Sequence, residues 1–76
     1  MTIGSIPPIF MTLYLIWSYE HQAWWRPWGS GYTKDLKEAG RYEYLEARDI
    51  CFKANQYSNR IEEKMVAFEE VDTFVP

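Results

Sequence analysis

Two tryptophans stand side by side, Trp24 and Trp25, in a stretch that reads as a short strand. Successive strand residues point to opposite faces of a sheet, so the two indoles cannot enter the same core. All four tryptophans of the chain lie between Trp17 and Trp28, and seven of its fourteen aromatic rings lie between Tyr14 and Tyr32. A chain of 76 residues has room for one small core. The window therefore divides its rings between that core and some second surface.

The flanking residues give the framework. Thr12 to Tyr19 is rich in β-branched and aromatic side chains and reads as a strand. Leu13, Leu15, Trp17 and Tyr19 fall on one face, and Tyr14, Ile16 and Ser18 on the other. Both faces are apolar, which predicts a central strand. Glu20-His21-Gln22 reads as a turn, and Ala23 to Arg26 as a returning strand. Pro27 ends that strand and marks it as an edge. Trp28 to Gly31 reads as a flexible loop. Thr33 is placed to cap a short helix, with Asp35 in its first turn and Gly40 as its stop. A second helix is expected from about Glu43 to Asn55, with Tyr44, Ala47, Ile50, Cys51 and Ala54 on one face. Gln56 to Arg60 is a polar linker. Lys64 to Val71 reads as a last strand, and Asp72 to Pro76 as a loose tail.

The expected fold is α+β. It is a three-stranded antiparallel sheet in the order β-β-α-α-β, with the first strand in the middle and both helices on one face. The other face then needs a cover, and a second subunit in a homodimer is one way to supply it. Residues 1–10 carry no charge and contain Gly4, Pro7 and Pro8. They are expected to be a flexible arm or an extension upstream of the true start, leaving residues 11–76 as a single domain.

The chemistry of most enzymes is missing from the composition. One His and one Cys do not make a zinc ligand set, and no metal or cofactor is expected. Cys51 sits on the apolar face of the second helix, the setting of an inert thiol. His21 beside Glu20 has a reading as a general base and a commoner one as a polar turn residue. Gly29 and Gly31 lack the Lys-Ser/Thr of a phosphate loop. The net charge of -3 argues against a duplex-DNA binder. The apolar run Ile9 to Trp17 is too short to span a bilayer, and no basic segment precedes it. A cytoplasmic protein without a membrane partner is the expectation.

A binding surface is the remaining reading. Trp24, Trp25, Arg26, Trp28 and Tyr32, with His21 beside them, are of the types that dominate interfaces. A stack of Trp25, Trp28 and Tyr32 would also suit a nucleotide or sugar. Glu62, Glu63, Glu69 and Glu70 form an expected acidic edge. Such an edge suits a basic groove on a nucleoprotein, and equally a solvated strand protected by charge.

The segments Trp17-Ser18-Tyr19-Glu20-His21-Gln22-Ala23-Trp24-Trp25-Arg26-Pro27, Gly31-Tyr32-Thr33 and Ala39-Gly40-Arg41-Tyr42, followed by Glu46-Ala47, carry a pattern. It resembles a group of small uncharacterised proteins of phages, prophages and related mobile elements. The likeness covers about Leu13 to Asn55. The chain departs from the group at Glu43, where a capping Ser or Thr is usual, and in residues 1–10, since relatives begin near the position of Met11. The resemblance implies no activity. Small acidic proteins of that origin are often inhibitors of host defence, anti-CRISPR proteins among them. The expectation is thus a non-enzymatic inhibitor docking on a host defence protein or nucleoprotein complex, with a small-molecule binder as the alternative.

Overall fold

The computed structural model describes residues 12–76. The expected arm at residues 1–10 lies outside the described residues. The fold is α+β, with a four-stranded antiparallel sheet and one α-helix. The strands are β1 (Tyr14–Ser18), β2 (Ala23–Trp25), β3 (Tyr32–Thr33) and β4 (Glu63–Ala67), in the spatial order β3-β2-β1-β4. The helix α1 spans Tyr44–Asn55.

Four strands replace the expected three because Tyr32 and Thr33 pair back onto Trp25 and Trp24. A strand of two residues has no periodicity to read. Its presence makes β2 an inner strand rather than an edge. Pro27 does not oppose this, since it lies beyond the last paired residue. Thr33, expected to cap a helix, is buried in β3, and its hydroxyl accepts the Asp35 N–H at 3.0 Å. Asp35 is the true cap, accepting the Lys37 N–H at 2.9 Å, and the element it opens is one 3-10 turn, Leu36–Glu38.

β1 is central, as its two apolar faces demand, and its alternation follows the expected parity. Leu15 and Trp17 pack with Trp24 and Val66, with Tyr19 beside them. Ile16 packs with Tyr42, Ala47 and Cys51, with Tyr14, Trp25 and Met65 beside them. Adjacent Trp24 and Trp25 do part across the sheet. α1 covers the second face through Ala47 and Cys51, two residues of the predicted helical face. At its end, Asn55 holds β4 in place. Its Oδ1 accepts the N–H groups of Glu62 and Glu63 at 2.6 and 3.0 Å, and its Nδ2 donates to the Glu63 carbonyl at 3.0 Å.

The first face is covered by the chain itself. β4 stops at Ala67, short of the expected Val71, and a 3-10 segment, Phe68–Thr73, turns the chain across the sheet. Val71 and Phe74 then pack on the Trp17/Trp24 face. The Phe74 ring lies 6.0 Å from that of Trp17 and 5.7 Å from that of Trp24, and the two indoles meet edge to face at 4.8 Å. So the tail is not loose up to Phe74. The expected short helix does not share a face with α1 either, since Ala39 at its end joins this same cluster. Among the described residues the buried Trp17 Nε1 has no acceptor, a cost of about 1–3 kcal/mol that the aromatic packing must exceed.

Two outcomes follow. Phe74→Ala uncovers two indoles and is expected to cost about 2 kcal/mol, less than a fully buried Phe because the ring is half-buried. Its tryptophan emission should shift to longer wavelength in the folded state. The second concerns Cys51, where burial, aided by the Glu63 charge, pushes the thiol pKa up to about 11 from about 9. The folded thiol keeps its proton where the unfolded one has lost it. The associated stability, about 2 kcal/mol, is full below pH 9 and lost as pH rises towards 11. Urea midpoints across that range should fall more steeply for the native chain than for Cys51→Ala.

Candidate functional site

The β2–β3 connection is a four-residue loop, Pro27 to Ser30, closed by the Arg26 N–H on the Gly31 carbonyl at 2.8 Å. The Ser30 N–H and hydroxyl both donate to the Pro27 carbonyl, at 3.2 and 2.9 Å. To make so tight a reversal the backbone takes positive φ at Trp28 (62°), Gly29 (64°) and Gly31 (111°). Glycine adopts this conformation freely. A side chain with a Cβ does so at a cost of about 1–2 kcal/mol. Trp28 carries that cost and gains no burial, since it is 93% exposed.

The loop is held rigidly from below. Tyr42 is buried, its hydroxyl donates to the Arg26 carbonyl, and the Gly29 N–H donates back to that hydroxyl at 3.3 Å. Removal from water raises the Tyr42 phenol above its usual range, partly offset by the Gly29 bond, so it stays a neutral donor. Gly40 lies so close that a Cβ would stand 2.8 Å from the Pro27 nitrogen and 2.9 Å from the Arg26 carbonyl carbon. The close approach, rather than a helix stop, is what requires glycine there. The W-W-x-P and A-G-x-Y elements of the sequence pattern are therefore one unit in space: a loop and its brace.

The other expected site residues divide. Trp25 and Tyr32 are paired neighbours on the α1 side of the sheet, ring centroids 5.9 Å apart and nearly perpendicular. His21 reaches over from the β1–β2 turn and stacks on Tyr32 at 3.9 Å. These three form one continuous aromatic strip. Trp24 is not part of it and lies buried on the other face. Arg26 is engaged locally, with Nη2 2.8 Å from Glu38 and Nε donating to the Tyr32 carbonyl at 3.2 Å. Trp28 makes no ring contact among the described residues, so Trp25, Trp28 and Tyr32 do not face one another as a stacking box.

His21 is a turn residue. Its Nδ1 lies 3.2 Å from the Ser18 hydroxyl, which also accepts the His21 backbone N–H at 3.1 Å. Ser18 is wholly buried, so this pair offers no hydroxyl to a substrate. Among the described residues, no cluster of three His, Cys, Asp or Glu is arranged to hold a metal ion. No helix in that span is long and apolar enough to cross a membrane.

The four acids do not form one edge. Glu63 is buried on the α1 side, where its Oε2 lies 3.4 Å from the Trp25 Nε1 donor. The Ser58 hydroxyl and then the Arg60 guanidinium hold the Glu62 carboxyl below its usual range. Glu69 and Glu70 are exposed on the C-terminal 3-10 segment, where Glu69 accepts the Thr12 hydroxyl at 3.2 Å.

The chain matches no family model, no curated protein and no solved structure. The site therefore stands on its geometry. Tyr42→Phe strands the Arg26 carbonyl and the Gly29 N–H, and is expected to cost about 1–3 kcal/mol in chemical denaturation. Hydrogen exchange at Gly29 and Ser30 should quicken by more than the global loss explains.

Proposed function

We propose that this is a non-enzymatic binding protein of phage or mobile-element type. It inhibits a bacterial defence system, in the manner of an anti-CRISPR protein, by docking on a host protein complex in the cytoplasm. The observation that carries the binding role is Trp28. A strained backbone is kept at a position where the side chain contributes no packing, on a loop braced by Tyr42 and Gly40. Strain without a folding benefit is the mark of a functional position.

The chemistry of the loop suits a protein pocket. Pro27 to Thr33 is uncharged, and Arg26 is already paired with Glu38. A rigid indole flanked by small residues can enter an apolar pocket with little loss of conformational entropy. The His21–Tyr32–Trp25 strip supplies a rim. The defence target is argued from the resemblance to phage proteins and from the small acidic chain, since no residue of the loop names a partner.

Trp28→Gly separates folding from binding. It removes the exposed ring and the positive-φ cost together, so the melting temperature should stay equal or rise. Capture of host proteins, and protection of phage against host defence, should fall by about 30-fold or more, the scale of a central hot spot. A variant that keeps full capture and protection overturns the reading. Stabilisation by a nucleotide or sugar that Trp28→Gly abolishes would move the function to the small-ligand class.

A further inference from the structure

Glu63 is a buried carboxylate without a cation. It is 6% exposed, and its side chain has one long hydrogen bond, from the Trp25 Nε1 to Oε2 at 3.4 Å. Among the described residues it makes no ion pair. The bases around it are engaged or turned away. Arg26 holds Glu38 at 2.8 Å, and the Lys34 Nζ donates to the Gln22 carbonyl at 2.6 Å. Lys64, next along β4, lies opposite Trp17 and so belongs to the other face of the sheet. A carboxylate taken from water and left without a counter-charge is costly, and a cation brought to it recovers part of that cost. Its Oε1 is open to such a cation. Among the described residues, Trp17 Nε1 is the one fully buried side-chain polar atom without a partner, so Oε1, which has no donor, is reached by solvent.

Aromatic rings border this carboxylate. Trp25, bonded to it, is half-buried, and Tyr32, 38% exposed, stands nearly perpendicular to Trp25 at 5.9 Å. His21 stacks on Tyr32 and extends the surface. Burial raises the Tyr32 phenol above its usual range, and the charges of Glu63 and Glu20 raise it further, so the potential at this end of the strip is negative. Rings beside a carboxylate suit a guanidinium in particular. Its plane stacks on aromatic faces, its N–H groups donate to the carboxylate, and it sheds water more readily than an ammonium.

We propose that Glu63, Trp25 and Tyr32 receive one arginine side chain, carried by the protein on which the Trp28 loop docks. This rests on the docking role assigned to that loop and names the chemistry of a second contact, a basic residue beside the apolar pocket that takes the indole. The net charge of -3 favours the approach of such a surface.

The probe is acetyl-Gly-Arg-Gly-amide, titrated into the full chain and followed by NMR at the Trp25 indole N–H and the Tyr32 ring. Both signals should move saturably, with a Kd on the order of 10 mM for a single side chain. The citrulline peptide, neutral and of the same shape, should bind at least about tenfold more weakly. Glu63→Gln keeps an acceptor for Trp25 Nε1 and should weaken the arginine peptide by about the same factor, with unchanged circular dichroism. Tyr32→Leu, at a half-exposed position, should weaken it severalfold and serves if Glu63→Gln does not fold. Equal binding of the citrulline peptide, no saturable shift by about 100 mM, or full binding by a folded Glu63→Gln or Tyr32→Leu chain each overturns the proposal. Host capture that Trp28→Gly abolishes and Glu63→Gln leaves untouched also overturns it, while the docking role of the loop stands. Arginine binding by a chain that captures no host protein does the reverse.

Discussion

The structure depends on a central strand that is buried on both sides. Leu15 and Trp17 face one way, Ile16 and Ser18 the other, and all four are sequestered from water. At about 25 cal/mol per Å² of apolar surface, neither face can be left open in so small a chain. One cover is α1, which follows from a recognisable helical pattern. The other is assembled from the C-terminal residues Val71 and Phe74 with Ala39, none of which advertises that role locally.

At the β2–β3 end, Trp25 packs at the border of the α1-side cluster, Tyr32 and His21 continue the aromatic strip from it, and the hairpin loop carries the exposed Trp28. The brace beneath that loop is polar and specific, the hydroxyl of Tyr42 serving both Arg26 and Gly29. Packing of Gly40 against Pro27 adds a steric limit. A rigid support under an exposed, strained ring is the arrangement a binding site needs, because order present before binding is not charged against affinity.

Much of the framework was legible. The parity of Tyr14 to Tyr19, the separation of Trp24 from Trp25, the central position of the first strand and the helix ending at Asn55 all follow from periods of two and 3.6 residues. Other features were not. β3 is too short to carry a period, and the cap at Asp35 competes with a plausible one at Thr33. The turn after Ala67 is set by packing on Trp17 and Trp24, some fifty residues earlier in the chain. Of the site, the residue types were legible but not their grouping. Trp24 and Trp25 look equivalent in sequence, and the sheet buries Trp24 while leaving Trp25 at the border of the strip. Glu63 looks like one acid among several, and its register opposite Ser18 turns it inward.

The sequence by itself determined that the tryptophans must be shared between two surfaces, because alternation along a strand is a local property of the backbone. Only the tertiary structure decided which ring stands in solvent. That choice rests on a loop whose left-handed Trp28 is enforced by Tyr42 and Gly40, contacts made between segments far apart in the chain that leave no local periodic trace.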